Sequence, residues 1–483
     1  MRLFFMNSGH TRVRLVQAGA VVAAVALIAG CGNTYRPVVT PVNSNGPAAQ
    51  PQSYAVVVSA PSPTTPGIAT IIDYSGDSVL AEAPIGPGPS TFTIDETGSN
   101  GYTVNSDGTL SNFPISPSLQ AKQVSYSTLA STAQPVNLFS PSAALWAADL
   151  NGNVVDLFQG IPGSFKLAIP VAVTPVMIVG PSIVAQRDYV LTQGNVSSAL
   201  ACNISPTTGP TGQAIAIETG TFTVSANIPL GKCPVYAVQS PDDRRFFVLN
   251  RGDDTITVIN SQNNTLNSCI PFVNQSGQPV TCHSSLKVSP ASGLAHAGPV
   301  YAEYNAATSQ LVVANYDGNS ISVIDVSMDE YGNDSQTFGT TFTIPVGNNP
   351  ASVTVLADGS RAYTANQTDS TVSIVNLSSH TVEKAALPVI GHPRTVVSTQ
   401  NSSFGKVYLA SPDSPYLTIL RTDLDIVDTT VLVQGNIVDV RVTTQNGSTG
   451  NPNDVSRVPG YGQPCYLPGP AAQASLVTCQ TLP

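Results

Sequence analysis

The chain has 483 residues, with 19 Lys and Arg against 29 Asp and Glu, and charged residues make up only 10% of it. A typical globular domain carries about 25%, so long helices laced with ion pairs are excluded, and the acidic balance excludes binding to nucleic acid by bulk electrostatics. In their place stand 38 Gly and 39 Pro with abundant Ser, Thr and Asn, a composition for many short strands joined by tight turns.

Residues 1–30 read as an export signal. Arg2, Arg12 and Arg14 form a basic start without an acidic residue, and Val21 to Ile28 form an apolar run too short for a transmembrane helix. The run ends in Leu27-Ile28-Ala29-Gly30-Cys31, a small residue ahead of a thiol. This order resembles the lipobox of bacterial lipoproteins; an ordinary signal peptide with an incidental Cys is the competing reading. The resemblance implies cleavage after Gly30, a thioether-linked diacylglycerol on Cys31 and further acylation by a chain such as palmitate. Two or more acyl chains make a durable membrane anchor. Gly32 follows the Cys where inner-membrane retention uses Asp, which implies an outer-membrane lipoprotein of the cell envelope, periplasmic or surface-facing. Loss of the three signal arginines leaves 16 basic residues against 29 acidic, a net charge of −13. Residues 31–52 are rich in Pro, Asn, Ser and Thr, with no apolar period, and suit an extended tether.

Residues 53–443 carry an internal repeat. Tyr54-Ala55-Val56-Val57-Val58 is a strand with no opening strand before it. Gly101 to Leu110 and Leu145 to Leu157 are loose copies of a hairpin phrase that becomes clear downstream: Phe246 to Asn260, Leu311 to Asp325, Ala362 to Asn376 and Val407 to Leu420. In each clear copy, and in the Leu145 copy, a polar residue closes one strand six positions before the first apolar residue of the next. The second strand alternates apolar with Thr or Ser, and the residues between are turn formers that tolerate positive φ. Each unit opens on a proline, at Pro89, Pro135, Pro175, Pro234, Pro299, Pro350 and Pro393. Spacings of this size fit four-stranded propeller blades, which must stack around a ring to bury their faces. Ile437 to Val442 is an opening strand with no blade after it, so pairing it with Tyr54 to Val58 completes one more blade and closes the ring. The expected fold is an all-β propeller of eight blades. Seven is the alternative, because residues 91–135 and 175–232 are irregular. Residues 444–483 are a Gly-, Pro- and Asn-rich tail expected to pack on the ring.

The phrase from Val312 to Asp325, and again from Tyr363 to Asn376, resembles the YVTN family of β-propeller repeats, clearly over residues 234–433. That pattern is shared by surface-layer and lipoprotein propellers and by lactonase-type propellers that open 6-phosphogluconolactone, so it implies a fold more firmly than an activity.

With Cys31 lipidated, Cys202, Cys233, Cys269, Cys282, Cys465 and Cys479 remain, an even number that suits disulfides in an exported chain. Proximity favours Cys202–Cys233, Cys269–Cys282 and Cys465–Cys479 among fifteen pairings. No Cys pair or His pair has metal-site spacing. Asp73, Asp149, Asp325 and Asp439 fall near strand ends; turn capping is the favoured reading, and a Ca²⁺ held by such carboxylates in a channel is the other. Arg251-Gly252-Asp253 spells an adhesion tripeptide but occupies a hairpin turn. Trp146 takes a position filled elsewhere by Phe247, Val312, Tyr363 and Tyr408, which makes it a packing residue.

No nucleophile elbow, phosphate loop or dinucleotide motif is present, and no catalytic residue is assigned. The expected role is a monomeric, non-enzymatic binding or scaffold propeller, anchored to the membrane by its lipid, with a protein or glycan partner and no cofactor. The alternatives are a lactonase-like hydrolase drawing on Glu303, Arg361, His392 and Arg394, and a structural surface-layer or adhesion component.

Overall fold

The computed structural model describes residues 53–443, apart from residues 96, 141–143, 161–162, 183–185, 196–201, 203–204, 275–276, 330 and 400–401. The signal, Cys31, the tether, the tail from residue 444 and the Cys465–Cys479 pairing lie outside the described residues.

Eight antiparallel sheets follow one another as blades. Their innermost strands, from blade two to blade eight, are Thr91–Ile94, Pro135–Phe139, Pro175–Ser182, Pro234–Gln239, Pro299–Asn305, Pro350–Val355 and Thr395–Ser398, so every proline start opens a blade. The innermost strand of blade one is Asn436–Val442, from the far end of the chain, and its next strand is Tyr54–Ala60. Val57 faces Val440 and Val56 faces Arg441 across this pair. Neighbouring innermost strands touch in cyclic order, blade eight against blade one and blade one against blade two. The eight-blade expectation therefore holds and the seven-blade alternative falls: residues 91–135 and 175–232 each supply a complete blade, with longer loops rather than an insertion.

The hairpin phrase has a physical cause. Its closing Asn sends both amide protons across the turn to two hydroxyls: Asn315 Nδ2 donates to Ser320 Oγ at 3.0 Å and Ser322 Oγ at 2.9 Å. Asn250 does the same to Thr255 and Thr257, Asn366 to Thr371 and Ser373, and Asn105 of blade two to Thr109 and Ser111. The six-residue offset is the spacing that puts a hydroxyl on each side of the second strand's first apolar residue. The turns end at Asn153, Asp254, Asn319 and Ser370, all at positive φ, a conformation that Asn and Asp adopt more readily than other side-chain-bearing residues.

Blades are also latched to one another. We call the side where innermost strands begin the upper face, and the opposite side, where second strands begin, the lower face. On the lower face the start of a second strand reaches the turn between the third and outermost strands of the next blade. Tyr189 Oη donates to Asn264 Oδ1 at 3.2 Å and Arg187 Nη1 to Ser261 O at 3.0 Å. Arg361 and Tyr363 both meet Asp425, and Lys406 pairs with Asp77. Trp146 obeys the same geometry with a ring: it is buried against Phe222 of the next blade, centroids 5.9 Å apart, as its place in the repeat implied. Asp77, Phe222, Asn264, His380 and Asp425 all sit at positive φ in this turn. That conformation is unusual for an aromatic residue, and the stacking of Phe222 on Trp146 and of His380 on Phe342, 3.8 Å between centroids, offsets it.

Candidate functional site at the ring axis

An innermost strand has one edge facing the axis, so its N–H groups need partners other than a fifth strand. The side chain two residues after each opening proline, or its equivalent, supplies them to the next blade. Ile178 N donates to Asn137 Oδ1 at 3.0 Å, Ala237 N to Met177 Sδ at 3.3 Å and Val396 N to Ser352 Oγ at 3.0 Å. Tyr236 and Tyr301 occupy the position in blades five and six and pack with centroids 4.5 Å apart. In blade one the position is Asp439.

Asp439 is buried and accepts three hydrogen bonds. Its Oδ1 accepts from Thr395 Oγ1 at 2.8 Å and from Val440 N at 2.9 Å, and its Oδ2 accepts from Arg441 Nη2 at 2.7 Å. Arg394 joins this group from blade eight. It stands one residue after the opening proline, where blades three to seven carry the buried aliphatics Val136, Val176, Val235, Val300 and Ala351. Burial pulls the Arg394 guanidinium below its ordinary range; Asp439 opposes that shift and Arg441 adds to it. Tyr301 reaches the same group from blade six: its hydroxyl is pushed up to about 12, by burial first, then by Glu303, with Arg441 opposing. Two arginines, the carboxylates of Asp439 and Glu303 and a tyrosine thus share electrostatic reach near the ring axis.

The other residues singled out from sequence are spread over the ring. Asp73, Asp149 and Asp325 cap turns: Asp73 accepts from Ser75 and Gly76, Asp149 from Gln134, Asn151 and Gly152 and Asp325 from Ser327. Asp149 lies on the upper face and the other two on the lower, so the four carboxylates do not converge on one Ca²⁺. Of Glu303, Arg361, His392 and Arg394, only Glu303 and Arg394 border the axial group. His392 is on the upper face paired with Asp413 at 2.6 Å, Arg361 is on the lower face with Asp425, and Glu303 accepts from Val355 N at 2.7 Å. Arg251 of the adhesion-like tripeptide is buried and bidentate to Asp317 of the next blade, at 2.9 and 2.7 Å. It therefore presents no charge to a partner. His296 meets Asp254 at 3.2 Å.

Two of the expected disulfides form. Cys202–Cys233 pins the long loop of blade four to the upper face, and Cys269–Cys282 closes a segment that interrupts the outermost strand of blade five. That segment carries a small hairpin, Phe272–Val273 against Pro279–Val280. Its base is held by Asp334 of blade six, whose fully buried carboxylate accepts from Asn267 Nδ2 at 2.9 and 3.0 Å and from His283 N at 2.8 Å, with His283 Nδ1 at 3.1 Å. Arg245 lies 3.7 Å away. The hairpin leaves Ile270 89% and Val273 67% exposed, and residues 267–284 contain no Asp, Glu, Lys or Arg. Nothing in the repeat pattern announced this element. Arg441 and Tyr301 also escaped sequence reasoning, although the Asp439-Val440-Arg441 alternation in a closing strand, which puts two charges on one face, was a usable signal.

No family model and no curated protein matches the sequence. Solved structures match in fold: apo AztD from Citrobacter koseri, with a TM-score of 0.54 at 12% identity, covering 81% of this chain and 97% of that one; and the dihydro-heme d1 dehydrogenase NirN in complex with DHE, with a TM-score of 0.56 at 13% identity, covering 82% and 76%. At such identities the likeness establishes the propeller fold and nothing finer.

Proposed function

We propose that this chain is a lipid-anchored cell-envelope protein whose ring binds a protein partner without chemistry, through the Cys269–Cys282 hairpin. The observation that carries this reading is an uncharged, disulfide-closed hairpin that exposes Ile270, Phe272 and Val273 on an otherwise acidic protein. Exposed apolar side chains held by a disulfide and a buried Asp334 anchor cost little entropy to order on binding, which is the property of a preformed recognition element. Two disulfides accord with an oxidising compartment, and the Arg2 to Cys31 pattern with an acyl anchor. Among the described residues no helix is long and apolar enough to cross a membrane. The hydrolase reading has no gathered set of side chains to rest on. Of the side chains it would use, Arg361 and His392 are committed to ion pairs on opposite faces of the ring.

A photo-crosslinking residue in place of Ile270, in the full chain expressed in its own envelope, tests the reading. The expected result is a discrete adduct of constant mass, absent when the probe replaces exposed Tyr126 instead. No adduct from Ile270 would overturn it. The anchor has its own test: labelled palmitate should enter the wild-type chain and not the Cys31→Ser chain, and equal labelling would remove the lipid.

A further inference from the structure

We propose that the seam between blades eight and one holds a small oxyanion, a carboxylate or phosphate group, bound by Arg441 and Arg394. Arg441 is 1% exposed, and while its Nη2 is taken by Asp439, its Nε and Nη1 are buried with no hydrogen-bond partner among the described residues. A guanidinium has five N–H donors and stays protonated in proteins, so these donors cannot be silenced by loss of a proton. Leaving them dry costs free energy that a bound acceptor would recover. Asp439 meets Arg441 only at Nη2, its other oxygen being shared by Thr395 and Val440.

Arg394 strengthens the case. A buried cation replaces the aliphatic residue of five other blades, and it faces the cation of Arg441 as well as the Asp439 carboxylate. Two buried guanidiniums beside Asp439, with Nε and Nη1 of Arg441 unmet, form a receptor for a further negative group. A planar carboxylate or a phosphate oxygen matches guanidinium donor geometry better than a spherical halide. Arg441 belongs to the innermost strand of blade one, the layer of the ring next to the axis. The site is independent of the hairpin partner proposed above, and an occupant would join blade eight to the innermost strand of blade one.

Thermal unfolding of the purified full-length chain in low-salt zwitterionic buffer, with acetate or inorganic phosphate added, provides the test. For an anion at about a hundred times its Kd the expected rise in Tm is about 2–4 °C, saturating with concentration. In Arg441→Met and Arg394→Met the saturating rise should vanish relative to each variant's own baseline. Phosphate acting and acetate not would assign the phosphate form, and the reverse the carboxylate. Equal rises in wild type and both variants would mean general salt effects and overturn the site, as would no rise in wild type. Should a Met variant fail to fold, crystals of the wild type grown with selenate decide: an anomalous peak within hydrogen-bond distance of Arg441 Nε supports the site, and its absence overturns it. Neither negative result touches the crosslink expected at Ile270.

Discussion

A single repeated side chain shows how local chemistry sets the hairpins. In blades five, six and seven a buried Asn amide bridges two hydroxyls across the turn. Asn315→Ala should cost about 1–3 kcal/mol, because it strands Ser320 and Ser322 as well as removing their donor; chemical denaturation of the variant checks this. Blade three departs from the rule. Asp149 stands where the Asn would be, and Asp156 stands at the second hydroxyl position, so two buried carboxylates meet where other blades place an amide and an alcohol. Burial, and then Asp149, raise Asp156 to about 6. Its folded pKa lies above the unfolded value, so the folded state holds the extra proton and the fold is favoured below about pH 4. That contribution is lost as pH rises through the window up to 6. Asp156→Asn should therefore raise Tm at pH 7.5 and leave it nearly unchanged at pH 3.5. An equal effect at both would show that the carboxylate is not the cause. The amide–hydroxyl bridges were legible only as an offset of six. Their chemistry was hidden because sequence shows spacing, not which hydroxyl an amide reaches.

Among elements, the turns of the lower face latch one blade to the next, beside the apolar faces that the blades bury against each other. Asp425 serves Arg361 and Tyr363 together, so Asp425→Ala leaves a half-buried guanidinium and a buried phenol without their shared acceptor. A loss of about 2–4 kcal/mol is expected by analogy with broken buried pairs, larger than for Asp423→Ala, whose partner Arg421 is exposed. Denaturation of the two variants side by side checks the order. On the upper face, removing Cys202–Cys233 opens a loop spanning 31 residues of sequence, worth about 3–4 kcal/mol on chain-entropy grounds. Cys202→Ser with Cys233→Ser should show that loss, and also faster proteolysis of the blade-four loop. Blades five to eight could be read from sequence because their second and third strands alternate cleanly. Blade four could not, because Cys202 and the loop around it separate two strands that pair directly, Arg187–Thr192 with Thr211–Glu218. The split outer strand of blade five was hidden for the same reason: its pieces, Thr265–Leu266 and Ser285–Lys287, are short and pair with opposite ends of one strand.

The whole molecule is a ring because its two ends share a sheet. Complementary orphan strands at residues 54 and 437 made closure visible in the sequence. The axial group of Arg394, Asp439 and Arg441 was only partly visible, since strands distant in sequence bring it together. Closure by the terminal strands governs everything above, including the oxyanion seam, and one cross-link tests it. Val57 and Val440 are directly opposed between the two terminal strands, with side chains about 5 Å apart. Cysteines placed at both should form a bridged peptide, identified by mass spectrometry after mild oxidation, with the native disulfides intact. The control pair Val56 and Ile71, opposed within one hairpin, should bridge as well. A control that bridges while Val57 and Val440 do not would contradict a ring sealed by its own two ends.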